Sequence, residues 1–334
     1  MRQCFIHVGT HKTATTSAQH LLSGHPQELA SFGAFYPLAG RPDQASAGHH
    51  NLAWEISRDR RFSPQCGDRE ALVREIAGTD RNVIISSEDF ECSAHHAERF
   101  GKFIVEIQKL GIRVKLIVFF RNQIDYAESL YCTLVQLGFD RPFSVFCDEI
   151  LETSAARWRE WIFPFRYDAF ITRLASFPDV EVIVRSYDDP TMGSPVLDFL
   201  SVIGLGDALL PLEQLPRMNR RPELSATVQH YLANQAGLSP DGAEAAAIDA
   251  FLHGCQIERP SMSLAYQIRF VEAFEKSNHA VREKYRLPVF GRMRRERLAV
   301  SAGPSLNDIF GPRLRAMVRS TSPSTDDGNR KSRE

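Results

Sequence analysis

The run HVGTHKTATTS, residues 7–17, places Lys12 among the hydroxyls of Thr13, Thr15, Thr16 and Ser17. The residues before it, QCFIHV, are β-branched and aromatic and predict a buried strand over 3–8. Those after it, AQHLLSGHPQEL, predict a helix that stops near Gly24 to Pro26. Lys12 therefore falls at a helix N-terminus, which already carries unpaired N–H groups and a partial positive charge. A cation there is unfavourable alone and favourable with an anion, so the junction predicts an anion site with the hydroxyls as extra donors.

VFFRNQIDYAESLY, residues 118–131, repeats this logic. Arg121 ends an apolar strand as a helix begins. Asp125 and Ser129 follow at helical spacing of four and share a face with Arg121 nearby. An Arg121–Asp125 ion pair is the plainer account of this spacing. The two junctions together predict a ligand with two separated anionic groups, because carboxyl ends of adjacent parallel strands can share one ligand.

Proton-transfer candidates lie close by in sequence. Glu88, in VIISSEDF, follows the second strand, and a carboxylate among apolar neighbours is suited to general-base work. Asp89 beside it is a competitor for any such role, and a capping or salt-bridging acid is the alternative for Glu88. His50, in AGHHNLAW, is the rival base, although paired loop histidines are commonly plain surface residues. His11 precedes the lysine and is placed to neutralise anionic oxygens. His7 lies within the first strand and is expected to pack. Trp54, Phe90, Trp158 and Trp161 fit either an acceptor pocket or the core.

The elements that must position these groups alternate. Strands are predicted over 3–8, 81–87, 114–120 and 180–186, the third being the most apolar and so expected to be central. Helices are predicted over 51–57 and 68–76, from a Ser93 cap to Leu110, from Arg121 to Gly138, and over 194–203. This order predicts an α/β fold with a parallel sheet covered by helices on both faces. From Pro222 onward the pattern is helical, a cap or lid over about 222–290 expected to pack on the sheet. A single domain over 1–318 is expected, with a polar disordered tail over 319–334.

The chain has 334 residues, 43% hydrophobic and 24% charged, with net charge −1, which excludes a global nucleic-acid footprint. Residues 291–334 hold ten Lys/Arg against five Asp/Glu; a solvated arm or peripheral contact with an anionic membrane both fit. The six cysteines show no C-x-x-C pair and no zinc spacing. With no signal-peptide pattern and no spanning apolar run, a cytoplasmic location is expected. Oligomeric state is not readable.

HKTATTS resembles the 5′-phosphosulfate loop of sulfotransferases that use 3′-phosphoadenosine 5′-phosphosulfate (PAPS), where a Lys-Ser/Thr-Gly-Thr-Thr run holds the 5′-phosphate. RNQIDYAESLY resembles their 3′-phosphate segment, with an arginine and a serine eight residues on. FEKSNHAVREKY, residues 274–285, is similar to a segment of bacterial sulfotransferase-like proteins. The likeness spans roughly residues 1–204. It implies a P-loop-NTPase-like sheet and PAPS as co-substrate, with no metal. By the same likeness, Lys12 would contact the leaving phosphate, Thr13, Ala14, Thr15 and Thr16 would cradle the 5′-phosphate, and Arg121 with Ser129 would bind the 3′-phosphate. Glu88 would be the base at the strand end, and the acceptor a small molecule or a carbohydrate or lipid-linked glycan. Arg217, Asn219 and Arg220 would form either a nucleotide-covering loop or a solvated basic loop. Ala14 departs from the family's glycine, which matters only where φ is positive.

Two other classes stay open. A nucleotide kinase or NTPase shares the phosphate-binding helix start, but G-x-x-x-x-G-K-[ST] is absent, with Ile6 and His11 where its glycines belong. A non-catalytic nucleotide-binding module is the third.

Overall fold

The computed structural model describes residues 1–42, 47–189, 193–206, 223–237, 248, 252–253, 261–287 and 305–311. Five parallel strands form the main sheet: β1 (Gln3–Gly9), β2 (Ala34–Phe35), β3 (Asn82–Ser86), β4 (Arg113–Phe120) and β7 (Val180–Ser186), in the order β2-β3-β1-β4-β7. The fold is α/β, with helices on both faces, as the alternating pattern predicts.

Strand side chains alternate faces. Cys4, Ile6 and Val8 of β1 and Leu116, Val118 and Phe120 of β4 face one core. There they meet α3 (His50–Ser57), α4 (Arg69–Ala77), α6 (Ala97–Gln108) and α9 (Tyr167–Ala175). Phe5, Ile84, Ile117 and Phe119 face the other, against α1 (Thr15–Gly24), α2 (Pro26–Ser31) and α10 (Pro195–Val202). Each large side chain so buried contributes about 2 kcal/mol of transfer free energy. Every interior strand is apolar on both faces because both faces are covered.

Several features depart from the sequence expectation, four of them around the sheet and its loops. The middle strand is β1, and β4 lies beside it. β2 was not predicted, because two residues are too few to show a period. Ser93 does not cap α6, which begins at Ala97 after a separate turn, α5 (Phe90–Ser93); its hydroxyl donates instead to the carbonyls of Ala53 and Asp89. The fourth is an antiparallel hairpin of β5 (Ala155–Trp158) and β6 (Trp161–Pro164) after α8 (Phe143–Thr153).

The C-terminal helices pack around α7 (Gln123–Gln136), not on the strands as expected. The helices α11 (Leu224–Ala236) and α12 (Leu264–Tyr285) bury Val228, Tyr231, Phe270 and Phe274 against α7 and α8. Of α12, Val281 joins the sheet-side core. Asn278 of α12 exchanges two amide hydrogen bonds with Gln123 in the first turn of α7, at 2.7 and 3.0 Å. Arg217, Asn219, Arg220 and the tail over 319–334 lie outside the described residues.

The chain leaves β1 toward β2 and leaves β4 toward β7, so a topological switch point opens between the carboxyl ends of β1 and β4. Gly9 ends β1 with φ +104°, and a Cβ there would lie 3.1 Å from the Glu88 carbonyl oxygen. Gly9→Ala is therefore expected to lower the unfolding free energy by about 2 kcal/mol in a urea titration. An unchanged midpoint would show that neither the φ nor the close approach is enforced.

Candidate functional site

Three neighbouring strands, β3, β1 and β4, deliver the three candidate segments to one edge of the sheet. The first is the loop 10–14 between β1 and α1. Thr10 anchors it to the next strand, its N–H and hydroxyl both donating to the Phe119 carbonyl at 2.9 and 3.0 Å. The Thr13 hydroxyl closes the loop on the Thr10 carbonyl at 2.6 Å. Lys12 and Ala14 both take left-handed backbone, with φ of 66° and 63°. Ala14 therefore occupies the kind of position where glycine is the relaxed choice, at a cost of about 1 kcal/mol. No side chain caps the α1 N-terminus. The Thr15 hydroxyl beside it is buried without a hydrogen-bond partner.

The second segment follows β4. The start of α7 is already served, unlike that of α1: the Asn122 side chain accepts from Ile124 N–H at 2.9 Å, and the Asp188 carboxylate accepts the Asn122 N–H at 2.5 Å. Attraction for an anion here comes from Arg121 itself, not from helix amides. Its guanidinium lies over the Tyr187 ring at 5.3 Å and its Nε is buried without a partner. The salt bridges of the described residues do not include an Arg121–Asp125 pair, so the plainer account of that spacing does not hold. Ser129 is buried two turns into α7.

The third segment follows β3. Gln19, buried on α1, donates Nε2–H to the Glu88 carboxylate at 3.0 Å and lies 3.3 Å from the Ser86 hydroxyl. His50 begins α3, with Nδ1 2.9 Å from the Ser87 hydroxyl and 3.7 Å from the Asp89 carboxylate. The two rival bases thus sit at the same strand end. Their neighbour His49 is structural: Nδ1 accepts the Ser86 N–H at 3.1 Å and Nε2–H donates to the Pro37 carbonyl at 3.1 Å. Burial, assisted by Arg41, pushes its pKa down to about 3. His7 packs on Phe119 and Phe199 as expected, and burial holds it neutral with a pKa near 4.

His11 does not face a ligand as expected. Its Nε2 lies 3.0 Å from Asp89 and its Nδ1 2.8 Å from Glu91, whose carboxylate also accepts the His11 backbone N–H at 2.9 Å. The Tyr126 hydroxyl of α7 donates to the other Glu91 oxygen at 2.6 Å, and Trp54 Nε1–H donates to Asp89 at 2.5 Å. Burial alone would depress the His11 pKa; hydrogen bonds and charge from both carboxylates overturn this and raise it to about 10. Burial likewise opposes ionisation of Asp89, yet His11, His50 and Arg61 hold it well below the carboxylate range. Glu91, Tyr126 and Arg61 carry no motif; only the sequence proximity of His11 to Lys12 hinted at the cluster.

Trp54 and Trp161 flank Arg61, each ring 4.4 Å from its guanidinium. Asp59 grips the same guanidinium through two bonds, at 3.0 and 2.6 Å. Phe90 is core, and Trp158 packs edge-on against Trp161. Of the expected pocket aromatics, Trp54 donates to Asp89 and stacks on His50, whereas the Trp161 indole donates to Asp59 at 2.9 Å.

The donor set fits an anionic ligand with two charged ends: an uncapped helix start with an orphaned buried hydroxyl at Thr15, and an orphaned guanidinium nitrogen at Arg121. Comparison with family models, curated proteins and solved structures finds no match to this chain. No helix among the described residues is long and apolar enough to cross a membrane.

The His11 contribution to stability is complete below its ordinary pKa of 6.5 and is lost as pH rises toward about 10. The unfolding free energy of the wild type is therefore expected to fall across that window more steeply than that of His11→Gln. At neutral pH this variant should be less stable by about 3 kcal/mol, because it strands buried carboxylates. Parallel pH profiles from urea unfolding would refute the clamp.

Proposed function

We propose that the protein is a sulfotransferase that moves a sulfuryl group from PAPS to an acceptor hydroxyl or amine, on a P-loop-NTPase-like sheet. The observation that carries this reading is the pairing of two anion-seeking groups across the β1–β4 switch point, the open α1 start with Thr15 and the unpartnered Nε of Arg121. A mononucleotide triphosphate places its charge in one chain of phosphates, whereas PAPS divides it between 5′ and 3′ ends.

In this reading Thr13 and Ala14 hold the 5′-phosphate through backbone N–H groups, the Thr13 hydroxyl being spent on the Thr10 carbonyl, and Thr15 and Thr16 add their hydroxyls. Arg121 and Ser129 hold the 3′-phosphate. Glu88 accepts the acceptor proton while the acceptor oxygen bonds to sulfur and the bridging S–O bond breaks. The electron pair passes to the 5′-phosphate oxygen, where Lys12 and the α1 amides meet the developing charge. His50 is the alternative proton acceptor.

Adenosine 3′,5′-bisphosphate, at about 100 times its Kd, is expected to stabilise the protein by about 3 kcal/mol in a thermal-shift assay. ATP and GTP should give smaller shifts. Arg121→Ala should abolish the bisphosphate shift without unfolding the protein. Glu88→Gln should keep the shift and slow transfer to a glycan acceptor by about 100-fold or more. A preference for ATP would replace this reading with the kinase one, and binding without turnover would leave a nucleotide-binding module.

A further inference from the structure

Beyond the candidate bases the surface carries a set of cations without counter-charges. Arg58 caps the end of α3, and Arg99 of α6 donates Nε–H to the Ile56 carbonyl in the last turn of the same helix. The hydroxyls of Ser57 and Ser93, 3.0 Å apart, join this end of α3 to α5. His95 and His96 follow α5, and Arg173 of α9 donates to His95 Nδ1 at 2.7 Å. The hairpin packs on α5, with Arg157 opposite Ile162 across its strands.

Arg58, Arg157 and Arg173 are exposed and Arg99 is half-buried. None of the four forms a side-chain ion pair among the described residues. The nearby acids are paired with other cations: Glu98 with Lys102 at 2.7 Å, Asp168 with Arg166 at 3.3 Å, and Glu149, which also accepts the Arg157 backbone N–H at 3.1 Å, with Arg141 at 2.9 Å. The field is felt by the histidines. Burial lowers the pKa of both, and Arg173 and Arg157 lower His95 further, as Arg99 and Arg58 do His96. Unpaired arginines around two neutral histidines in a chain of net charge −1 make a local site, not a general excess of positive charge.

The patch starts where the candidate site ends. The eight residues of α3 run from His50 to Ser57, so Arg58 stands about 12 Å from the rival base. Arg61, held between Trp54 and Trp161, reaches Asp89 at 3.7 Å. A ligand bound along this line must offer a hydroxyl to Glu88 and negative charge to the arginines. We infer that the acceptor is an acidic saccharide chain, whose hydroxyl enters the site while its carboxylates or sulfates lie on Arg58, Arg99, Arg157 and Arg173. This rests on the sulfotransferase reading for the hydroxyl, but the binding can be measured without the donor.

The probe is a glucuronate-bearing chondroitin oligosaccharide, compared by calorimetry with an uncharged cello-oligosaccharide, a single-stranded DNA of equal charge and vesicles rich in phosphatidylserine. The chondroitin chain is expected to bind, with affinity falling steeply between about 50 and 200 mM salt. The doubly substituted Arg58→Ser, Arg157→Ser protein changes only exposed side chains. It should lose at least tenfold in affinity and keep the bisphosphate thermal shift. Equal binding by that variant, or tighter binding of the neutral chain, DNA or vesicles by the wild type, would overturn the inference. Loss of the bisphosphate response in the wild type, with chondroitin binding intact, would instead count against the sulfotransferase reading alone.

Discussion

A single imidazolium joins the three strand ends from which the candidate site is built. His11 belongs to the loop after β1, Asp89 and Glu91 to the segment after β3, and Glu91 is held in turn by Tyr126 of the helix after β4. In a parallel sheet the ladder fixes the strands but says nothing about the loops beyond them. Here a buried charge triad with both ring nitrogens engaged does that work. Such a triad is costly to desolvate and stabilises little in net terms, but removing one member leaves an unpaired charge in the interior. It therefore acts more as a constraint on loop position than as a source of stability.

That constraint accounts for the backbone of the anion loop. Lys12 and Ala14 sit in left-handed conformations that non-glycine residues avoid, and they flank Thr13, whose hydroxyl is spent on the Thr10 carbonyl. Strain of this kind persists only where the surroundings over-determine it. His11 on one side and the Thr10–Phe119 bonds on the other supply the determination. The consequence is a helix start whose N-cap residue, Ala14, provides no side-chain cap, a type of position that can accept an anion.

The alternation of strands and helices, and with it the parallel sheet, was legible because each interior strand is a short apolar run bounded by turn residues. The placement of Lys12, Glu88 and Arg121 at strand ends was legible for the same reason. Strand order was not, since apolarity marks a strand as interior without telling β1 from β4. The hairpin escaped notice because its two-residue turn uses Arg159, with φ 53°, and Glu160 in place of Asn-Gly, so the usual turn signal is missing. The partners of His11 were hidden for a more general reason: a histidine beside a lysine at a helix start invites a ligand role, and Asp89 and Glu91 are about eighty residues away in sequence. The basic patch was equally hidden, its members coming from α3, α6, α9 and the hairpin.

Glu88 and Asp89 are consecutive carboxylates with opposite prospects. Asp89 is surrounded by His11, Trp54, Arg61 and His50, which donate to it or lend it positive charge, and it stays ionised far into acid. A group so stabilised as an anion is a poor proton acceptor, because each partner would have to be given up when the proton arrives. Glu88 has the Gln19 amide as its hydrogen-bond donor, a neutral dipole that orients the carboxylate without cancelling its charge. The two neighbours thus differ in what holds them: Asp89 is tied into the cluster that joins the loops, and Glu88 is oriented by the amide of a helix behind the loop after β1.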